Sequence, residues 1–372
     1  MSSFPYRLER AGVVMRPDPS DPNEAEGVLN PAVAHAPDGR LLLFPRVVAQ
    51  GNFSRIAVAE VTLTDGVPTG VDRLGIALAP DRAFERGADH GGVEDPRITY
   101  VADLGLYLMA YVAYGPAGPR AALATSTDLA DWTRLGPLQF RYDDSFGVDV
   151  NLFPNKDLAF FPEPVTGPDG TPCLAFLHRP MWELPGQSVE LPPGVTDPRA
   201  AIWLSYVRLA DAQADPAALL RPFGHRELAR SEADWEHLKI GGGPPPVRVP
   251  EGWLLLYHGV SGSISDDPFT PQQNVHYAAG GLLLDADDPS VVLSRTAEPL
   301  LSAETVDERV GIVANVVFPS AVAEVDGTLF TFYGMADEAI GVARIVPTEP
   351  VSPPHRWSSL SSHPHPTQGE SS

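Results

Sequence analysis

The chain has 372 residues, of which 43% are hydrophobic, so it is long enough for one large domain or two ordinary ones. Acidic residues outnumber basic ones 48 to 26 and the formal net charge is −22, which argues against nucleic acid or an anionic membrane as a partner. A single cysteine, Cys173, excludes an internal disulfide, and its apolar neighbours predict a buried core residue.

The first residues have no apolar stretch typical of a signal peptide, and no segment reaches the roughly 18 apolar residues of a membrane span. We therefore expect a cytoplasmic protein. Residues 1–27 are predicted to be an N-terminal extension, 28–349 one catalytic domain and 350–372 a disordered tail. Residues 181–199, rich in Pro and Gly, are predicted to be a loop insertion.

One pattern recurs five times along the chain. A turn leads into a short apolar strand, at 41–46, 106–114, 171–179, 253–258 and 328–334. Before each strand lies a more polar segment, at 30–33, 94–98, 156–162, 241–247 and 315–320. Because the copies are about 65 to 80 residues apart, each has room for four strands. The pattern predicts an all-β fold, a five-bladed β-propeller; a β-sandwich is the alternative, but it would not explain five recurrences.

The first strand of each propeller blade lines a central channel, so the five polar segments are expected to meet at one end of it. Asp95, which follows Gly91 and Gly92, is the main candidate for an acid or base there. It could instead pair with Arg97 or cap a turn. Because consecutive strand residues point to opposite faces, only one of Glu94 and Asp95 is expected to face the channel.

Basic residues are scarce, yet several lie in or beside the polar segments. They are Arg46, Arg55, Arg97, Lys156, Arg179, Lys239 and His258. Such a cluster suits a phosphate, which accepts charge-assisted hydrogen bonds; alternatively, each base neutralises one of the many carboxylates.

Other acids could activate a water molecule, and the candidates are Glu163, Glu236, Glu304, Glu308 and Asp337. Trp235 is the preferred aromatic platform for a sugar. Signature motifs for nucleotides, zinc or a serine nucleophile are absent from the sequence, which favours a reaction without metal or cofactor.

Ten segments in order resemble family 130 of the glycoside hydrolases, the β-mannoside phosphorylases and related mannosidases. They lie at 30–33, 52–56, 94–98, 156–162, 177–180, 239–245, 252–260, 282–285, 311–319 and 333–337. The resemblance implies a five-bladed propeller in which Asp95 protonates the glycosidic oxygen through a sugar hydroxyl. Phosphate would attack the anomeric carbon from the opposite face, with inversion.

The resemblance also implies roles for other residues. Phosphate ligands would be Arg46, Arg55, Lys156, Arg179, Lys239, Tyr257 and His258. Substrate contacts would come from Asn30, Ser54, Glu94, Arg97, Asp157, Trp235 and Asp337.

Three functions stay open at this point. The first is phosphorolysis of short mannooligosaccharides or mannosyl-glucose, with inorganic phosphate as co-substrate. The second is hydrolysis with Glu236 or Glu308 as base, and the third is sugar binding without catalysis. The pairs His178-Arg179 and Tyr257-His258 favour phosphorolysis, because hydrolases of the family lack some basic phosphate ligands. Whether the chain forms a homo-oligomer is left open.

Overall fold

The computed structural model describes residues 4–88, 90–183, 190–263 and 274–348. In these ranges twenty-two β-strands make up nearly all regular structure, and the α-helices α1 (Leu209–Ala214) and α2 (Val306–Arg309) are short. The all-β prediction is confirmed. The predicted tail at 350–372 and residues 184–189 of the predicted insertion lie outside the described residues. No helix in the described part of the chain is long and apolar enough to cross a membrane.

Strand β1 (Tyr6–Met15) is followed by two antiparallel groups of four strands, here named unit 1 and unit 2. Unit 1 contains β2 (Val28–His35), β3 (Leu41–Ala49), β4 (Phe53–Thr64) and β5 (Val67–Leu78). Unit 2 contains β6 (Gly91–Val101), β7 (Leu106–Gly115), β8 (Gly118–Ser126) and β9 (Thr133–Pro137). The two units share one sheet because Phe53 and Ser54 pair in parallel with Gly91 and Gly92. This approach requires glycine, since a Cβ on Gly92 would lie 2.2 Å from the Ser54 carbonyl oxygen.

Units 3 and 4 are separate sheets, each with four strands in series and one short extra strand. Unit 3 contains β10 (Asn155–Phe160), β11 (Val165–Thr166), β12 (Pro172–Pro180), β13 (Ile202–Arg208) and β14 (Phe223–Ala229). Unit 4 contains β15 (Lys239–Gly242), β16 (Val247–Val249), β17 (Gly252–Ser263), β18 (Asn274–Leu284) and β19 (Val292–Arg295).

Unit 5 takes its outermost strand from the other end of the chain. Its strands are β20 (Val317–Val325), β21 (Thr328–Met335), β22 (Ala339–Pro347) and β1, which pairs antiparallel with β22. The segment predicted as an N-terminal extension therefore contains a strand of the fold. Its pattern explains why, because Tyr6 and Leu8 are buried while Arg7 is exposed, the alternation of a half-buried strand.

The core consists of five apolar clusters, each shared by two units that are consecutive in the chain. Phe44 with Met109 joins units 1 and 2, and Leu108 with Phe176 joins units 2 and 3. Comparable clusters join units 3 and 4 and units 4 and 5. The fifth joins unit 5 back to unit 1, through Phe332 and Leu43. Every unit is thus packed on two neighbours, with its first strand among the contacts.

Candidate active site

The first strands of units 1, 2 and 3 carry the same local irregularity near their beginning. Asn30, Asp95 and Asp157 have positive φ angles of 42°, 47° and 57°. Each lies at a register shift, where the first strand gains an extra residue relative to the second. Asn and Asp tolerate this conformation better than other non-glycine residues, and such a bulge re-aims side chains. The bulges direct these polar side chains into two adjacent groups of charges, Asn30 and Asp95 into the first and Asp157 into the second.

Asp95 is almost fully buried and surrounded by donors. Its carboxylate oxygens lie 3.3 Å from Lys156 Nζ and 3.2 Å from Arg46 Nη1, and they accept a 3.0 Å hydrogen bond from Asn30. Burial alone would raise the pKa of Asp95, but Lys156, Arg46 and Arg97 hold it well below the ordinary value for aspartate. In the substrate-free protein the Asp95 carboxyl is therefore ionised.

Glu94 belongs to the same group of charges. Glu94 and Asp95 were expected to point to opposite faces of the strand, and this position corrects that expectation. Glu94 pairs with Arg46 at 2.9 Å and approaches Lys156 at 3.9 Å. The reason is the bulge, since the positive φ of Asp95 breaks the alternation on which the expectation relied. Arg46 is further oriented by a hydrogen bond from its Nε to Ser54 Oγ at 2.9 Å.

A second group of charges lies next to the first, on units 3 and 4. Asp157 accepts a hydrogen bond from Arg179 Nε and lies 3.8 Å from His258 Nε2. Burial opposes ionisation, yet Arg179 and His258 lower the pKa of Asp157 to about 2. Burial lowers the pKa of His258 to about 3, against the pull of Asp157. The His258 ring is therefore neutral, and its two nitrogens have no hydrogen-bond partner among the described residues.

Lys239 is the cation of this second group that lacks a carboxylate partner among the described residues. No carboxylate of the described residues lies within ion-pair distance of it, and its Nζ is 5.7 Å from the centroid of the Tyr277 ring. Burial, together with the charges of Arg179 and Lys156, lowers the pKa of Lys239 to about 7. A lysine without a carboxylate partner and a histidine ring without a hydrogen-bond partner thus lie beside Arg179. Such a group of donors is suited to binding an anion.

Two further predicted residues lie at the border between the groups. Arg97 is fully buried, donates from Nε to the Gly243 carbonyl at 2.7 Å and packs over the Phe318 ring. Its pKa is lowered by burial, which Asp95 and Asp157 oppose. Asp337 is half-buried with a positive φ of 53°. Burial and the charge of Asp95 raise the pKa of Asp337 to about 6, although Arg46 and Lys156 oppose them.

The structure places four predicted residues elsewhere. Tyr257 is adjacent to His258 but faces the other side of β17, where its hydroxyl donates to Glu236 at 2.9 Å. The Trp235 ring packs against Tyr257, and its Nε1 donates to the Ala297 carbonyl. These positions correct the predictions of a phosphate ligand and a sugar platform. Strand alternation directs the Tyr257 ring into the packing of unit 4, and Trp235, in the turn before β15, packs against that ring.

Glu236 and Glu308, predicted as bases for water, are fully buried and already engaged. Glu236 accepts hydrogen bonds from Tyr257, Arg295 and the backbone at 232 and 233. Glu308 is held in the same way by Tyr333, Arg10 and the backbone at 304 and 305. Both carboxylates are buried and already used by these partners, which disfavours the predicted role as bases for water. Arg55 follows Ser54 on β4, but it makes no ion pair with either group among the described residues, and its buried Nη1 has no hydrogen-bond partner there.

Sequence reasoning missed two residues of the site, Phe318 and Asn155. Tyr277 and Phe318 enclose the His258 ring, with centroids 6.0 and 4.2 Å away. Asn155, directly before Lys156, accepts the Arg179 backbone N–H at 3.2 Å. Asn155 could have been found from its neighbour Lys156, a predicted site residue, since both lie at the beginning of the first strand of unit 3.

A cavity of about 610 Å³ lies between unit 2 and the beginning of unit 3. Arg120, Phe140, Arg141 and Asn155 are among its lining residues. Asn155 thus connects this cavity to the second group of charges. Within the described ranges no set of three or more His, Cys, Asp or Glu side chains is arranged to hold a metal ion.

These features define a class, an all-β protein with a buried carboxylate beside a site for an anion. Residues 6–351 match the family described as beta-1,4-mannooligosaccharide phosphorylase, and the chain belongs to this family, glycoside hydrolase family 130.

Two curated relatives and one solved structure illustrate the match. The chain is 31% identical over 287 residues to 1,2-beta-oligomannan phosphorylase of Thermoanaerobacter sp. (strain X514), covering 73% of this chain and 78% of that protein. It is 29% identical over 341 residues to beta-1,2-mannobiose phosphorylase of the same organism, covering 86% and 94%. The structure of Listeria innocua beta-1,2-mannobiose phosphorylase in complex with beta-1,2-mannobiose superposes with a TM-score of 0.63. The identity to it is 23%, and 86% of this chain and 89% of that chain are covered, so this likeness concerns the fold.

Proposed function

We propose that this protein is an inverting phosphorylase of short β-mannosides, which transfers a mannosyl group to inorganic phosphate and forms α-mannose 1-phosphate. The observation that carries the proposal is the anion site beside Asp95. In it Arg179 pairs with Asp157, but Lys239 has no carboxylate within ion-pair distance and the neutral His258 has no hydrogen-bond partner among the described residues. The phosphorylase names of the curated relatives support the same reaction.

In the proposed reaction Asp95 is the proton donor, and the proton reaches the glycosidic oxygen through a hydroxyl of the mannose. Asp95 is ionised in the substrate-free site, so it must gain its proton on binding. A phosphate next to Lys156 and Arg179 adds negative charge, while the sugar excludes water; both effects raise the pKa of Asp95. Phosphate is itself the nucleophile, so no second carboxylate is required to activate it.

Asn30, Ser54, Glu94, Arg97, Asp157 and Asp337 are proposed to bind the mannose hydroxyls, directly or by orienting residues that do. Hydrolysis is disfavoured because Glu236 and Glu308 are enclosed by their own hydrogen bonds. We also propose that the five units are the blades of a five-bladed propeller. The cluster shared by units 5 and 1 supports this arrangement, as does β1, which joins the N-terminal strand to the last unit.

The test is to incubate β-1,2- and β-1,4-mannooligosaccharides with the protein, with and without phosphate, and to identify the products by NMR. We expect α-mannose 1-phosphate only when phosphate is present. Free mannose formed equally under both conditions would identify a hydrolase, and complete inactivity on every β-mannoside would favour a sugar-binding protein.

Two substitutions refine this test. Asp95→Asn keeps a residue that tolerates positive φ, so it should preserve the fold and sugar binding while lowering kcat by at least about a hundredfold. Asp65→Asn is the matched control, since Asp65 also has a positive φ, of 49°, but lies in the exposed turn between β4 and β5. It should leave kcat unchanged.

A further inference from the structure

His178, next to Arg179 on β12, is fully buried, and its hydrogen bonds to the described residues go to the neutral side chains of Asn155 and Ser205. It belongs to a continuous chain of hydrogen bonds in unit 3. His178 Nδ1 lies 3.0 Å from Asn155 Nδ2, and His178 Nε2 lies 2.8 Å from Ser205 Oγ. Ser205 Oγ is 2.8 Å from His225 Nδ1, and His225 Nε2 is 3.1 Å from the Arg141 carbonyl oxygen. The chain of hydrogen bonds therefore runs from Arg141, which lines the cavity between units 2 and 3, to Asn155.

The direction of every bond in this chain follows from its two ends. At one end, the Arg179 backbone N–H can only donate, so it takes Asn155 Oδ1. That oxygen also lies 3.3 Å from His178 Nδ1, but the shorter contact, 3.0 Å, is with Asn155 Nδ2, which can only donate to it. At the other end, the Arg141 carbonyl can only accept, so His225 carries its hydrogen on Nε2. Ser205 then donates to His225 and accepts from His178 Nε2–H.

Both imidazoles are thereby held neutral in the same tautomer, with every donor and acceptor used. Burial lowers the pKa values of both His178 and His225, which agrees with this assignment. The Phe140 ring packs 5.0 Å from the His178 ring and 5.2 Å from the His225 ring, measured between centroids. The Phe140 ring covers this chain of hydrogen bonds with an apolar surface. A buried network in which every hydrogen-bond donor and acceptor is used is rigid.

Asn155, at the inner end of these hydrogen bonds, lies where the backbone ladder between β10 and β12 is interrupted. Lys156 and Arg179 are register partners, but the bulge at Asp157 interrupts the ladder until Ala159 pairs with Leu177. The Asn155 side chain accepts the Arg179 N–H at this interruption. The orientation of Asn155 thus helps to fix the strand pair that carries Lys156, Asp157 and Arg179.

We propose that His178, Ser205 and His225 are positioning residues that act through Asn155 to hold Arg179 in place for phosphate. Arg179 donates from Nε to Asp157, and its two Nη groups make no hydrogen bond to the described residues, so they are available to an anion. The inference rests on the proposed function, because phosphate is taken as the ligand of Arg179.

The test is the substitution Ser205→Ala, which removes the central donor and acceptor of the chain without touching the anion site. We expect the KM for phosphate to rise about tenfold, the change that corresponds to one buried hydrogen bond. The KM for the mannoside should stay within about twofold of the parent value. Ser205→Cys keeps a weak donor and acceptor of similar size, so it should restore part of the phosphate affinity.

Thr331→Val is the matched control. Thr331 is equally buried, and its hydroxyl donates to the Ala321 carbonyl in unit 5, away from the anion site. It should lower the melting temperature by a similar amount but leave the KM for phosphate unchanged. If Ser205→Ala does not fold, His225→Phe, at the outer and less buried end of the chain, takes its place with the same expectation.

The outcomes separate this inference from the proposed function. If the parent protein shows no phosphate-dependent turnover, the proposed function fails. If the parent is a phosphorylase and the folded Ser205 or His225 variants keep its KM for phosphate, the positioning chain alone is overturned. Equal increases in both KM values would also overturn it, since they indicate a general loss of structure.

Discussion

At the scale of single residues, Asp95 and Asp337 lie near the same cations, yet their pKa values move in opposite directions. Asp95 touches Lys156 and Arg46, which stabilise its charge. Asp337 makes no hydrogen bond or ion pair to the described residues, so burial and the charge of Asp95 raise its pKa. Two carboxyls whose pKa values are pushed apart are typical of sites that exchange protons near neutral pH.

The first prediction concerns the stability cost of Asp337. Its pKa in the folded protein, about 6, lies above the ordinary 3.8, so the folded state binds the extra proton and ionisation above pH 6 destabilises it. Asp337→Asn should therefore raise the melting temperature at pH 7.5 in phosphate-free buffer. The gain should shrink as the pH falls from about 6 to below about 4, because the parent carboxyl is then protonated in both states.

Asp326→Asn is the control for this prediction. Asp326 has a similar φ of 49° but is exposed in the turn between β20 and β21. A gain of the same size in both variants would show that Asn simply suits the positive φ. Asp337→Asn should also lose activity, which Asp326→Asn should not.

The second prediction concerns the proton on Lys239. Its pKa of about 7 means that the cation is lost as the pH rises through neutrality. The ratio kcat/KM for phosphate reports groups of the free enzyme, so it should fall above about pH 7. Lys239→Arg keeps its charge at any of these pH values and should move that decline to higher pH. The ionisation of phosphate affects parent and variant equally, so an identical decline in both would contradict the assignment.

At the scale of elements, four buried glutamates repeat one arrangement. They are Glu24, Glu85, Glu236 and Glu308, each in a short turn that precedes the first strand of a unit. Each carboxylate accepts a backbone N–H of its own turn and pairs with an arginine of the outermost strand of that unit. Three also accept a tyrosine hydroxyl from the second strand. These glutamates therefore connect the inner end of a unit to its outer edge.

The third prediction tests whether these glutamates are structural. Glu236→Gln and Glu308→Gln should each lower the free energy of unfolding by about 3 kcal/mol, because each removes the buried member of an ion pair and leaves a half-buried arginine without its counter-charge. The kcat of the folded fraction should remain within about twofold. Loss of a general base would instead lower kcat by about a hundredfold or more. Urea denaturation and initial rates on the same samples distinguish the two results.

At the scale of the whole molecule, β1 connects the beginning of the chain to its last unit. Leu8 is buried in the cluster shared by units 4 and 5, whereas Arg7, its neighbour, is exposed. The sheet of unit 5 would otherwise end at β22 with an unpaired edge.

The fourth prediction measures this contribution. Leu8→Ala should lower the free energy of unfolding by about 3 kcal/mol, as expected for a cavity in a core. Arg7→Ala, on the opposite face of the same strand, should change it by less than about 0.5 kcal/mol. Equal effects of the two substitutions in thermal unfolding would show that β1 is not packed as described.

Much of the fold and part of the site were predictable, because their signals are local. Strand alternation and turn residues predicted the five repeats. The polar segments before the strands contain Asp95 and Lys156, and Lys239 lies two residues before the fourth of them. The side of β17 on which Tyr257 lies was not predictable, since the motif gave its spacing from His258 but not the face that is packed. The packing of Trp235, in the turn before β15, depends on the position of that same Tyr257 ring.

The sequence by itself determined an all-β chain of five similar units and the residue types from which an anion site could be built. Only the tertiary structure decided which of them meet. The bulge at Asp95 brings Glu94 to the same cations, and partners far apart in the chain enclose Glu236 and Glu308. Alternation and turns depend on neighbours in sequence, whereas burial and charge pairing depend on neighbours in space, which residue order specifies only through the complete fold.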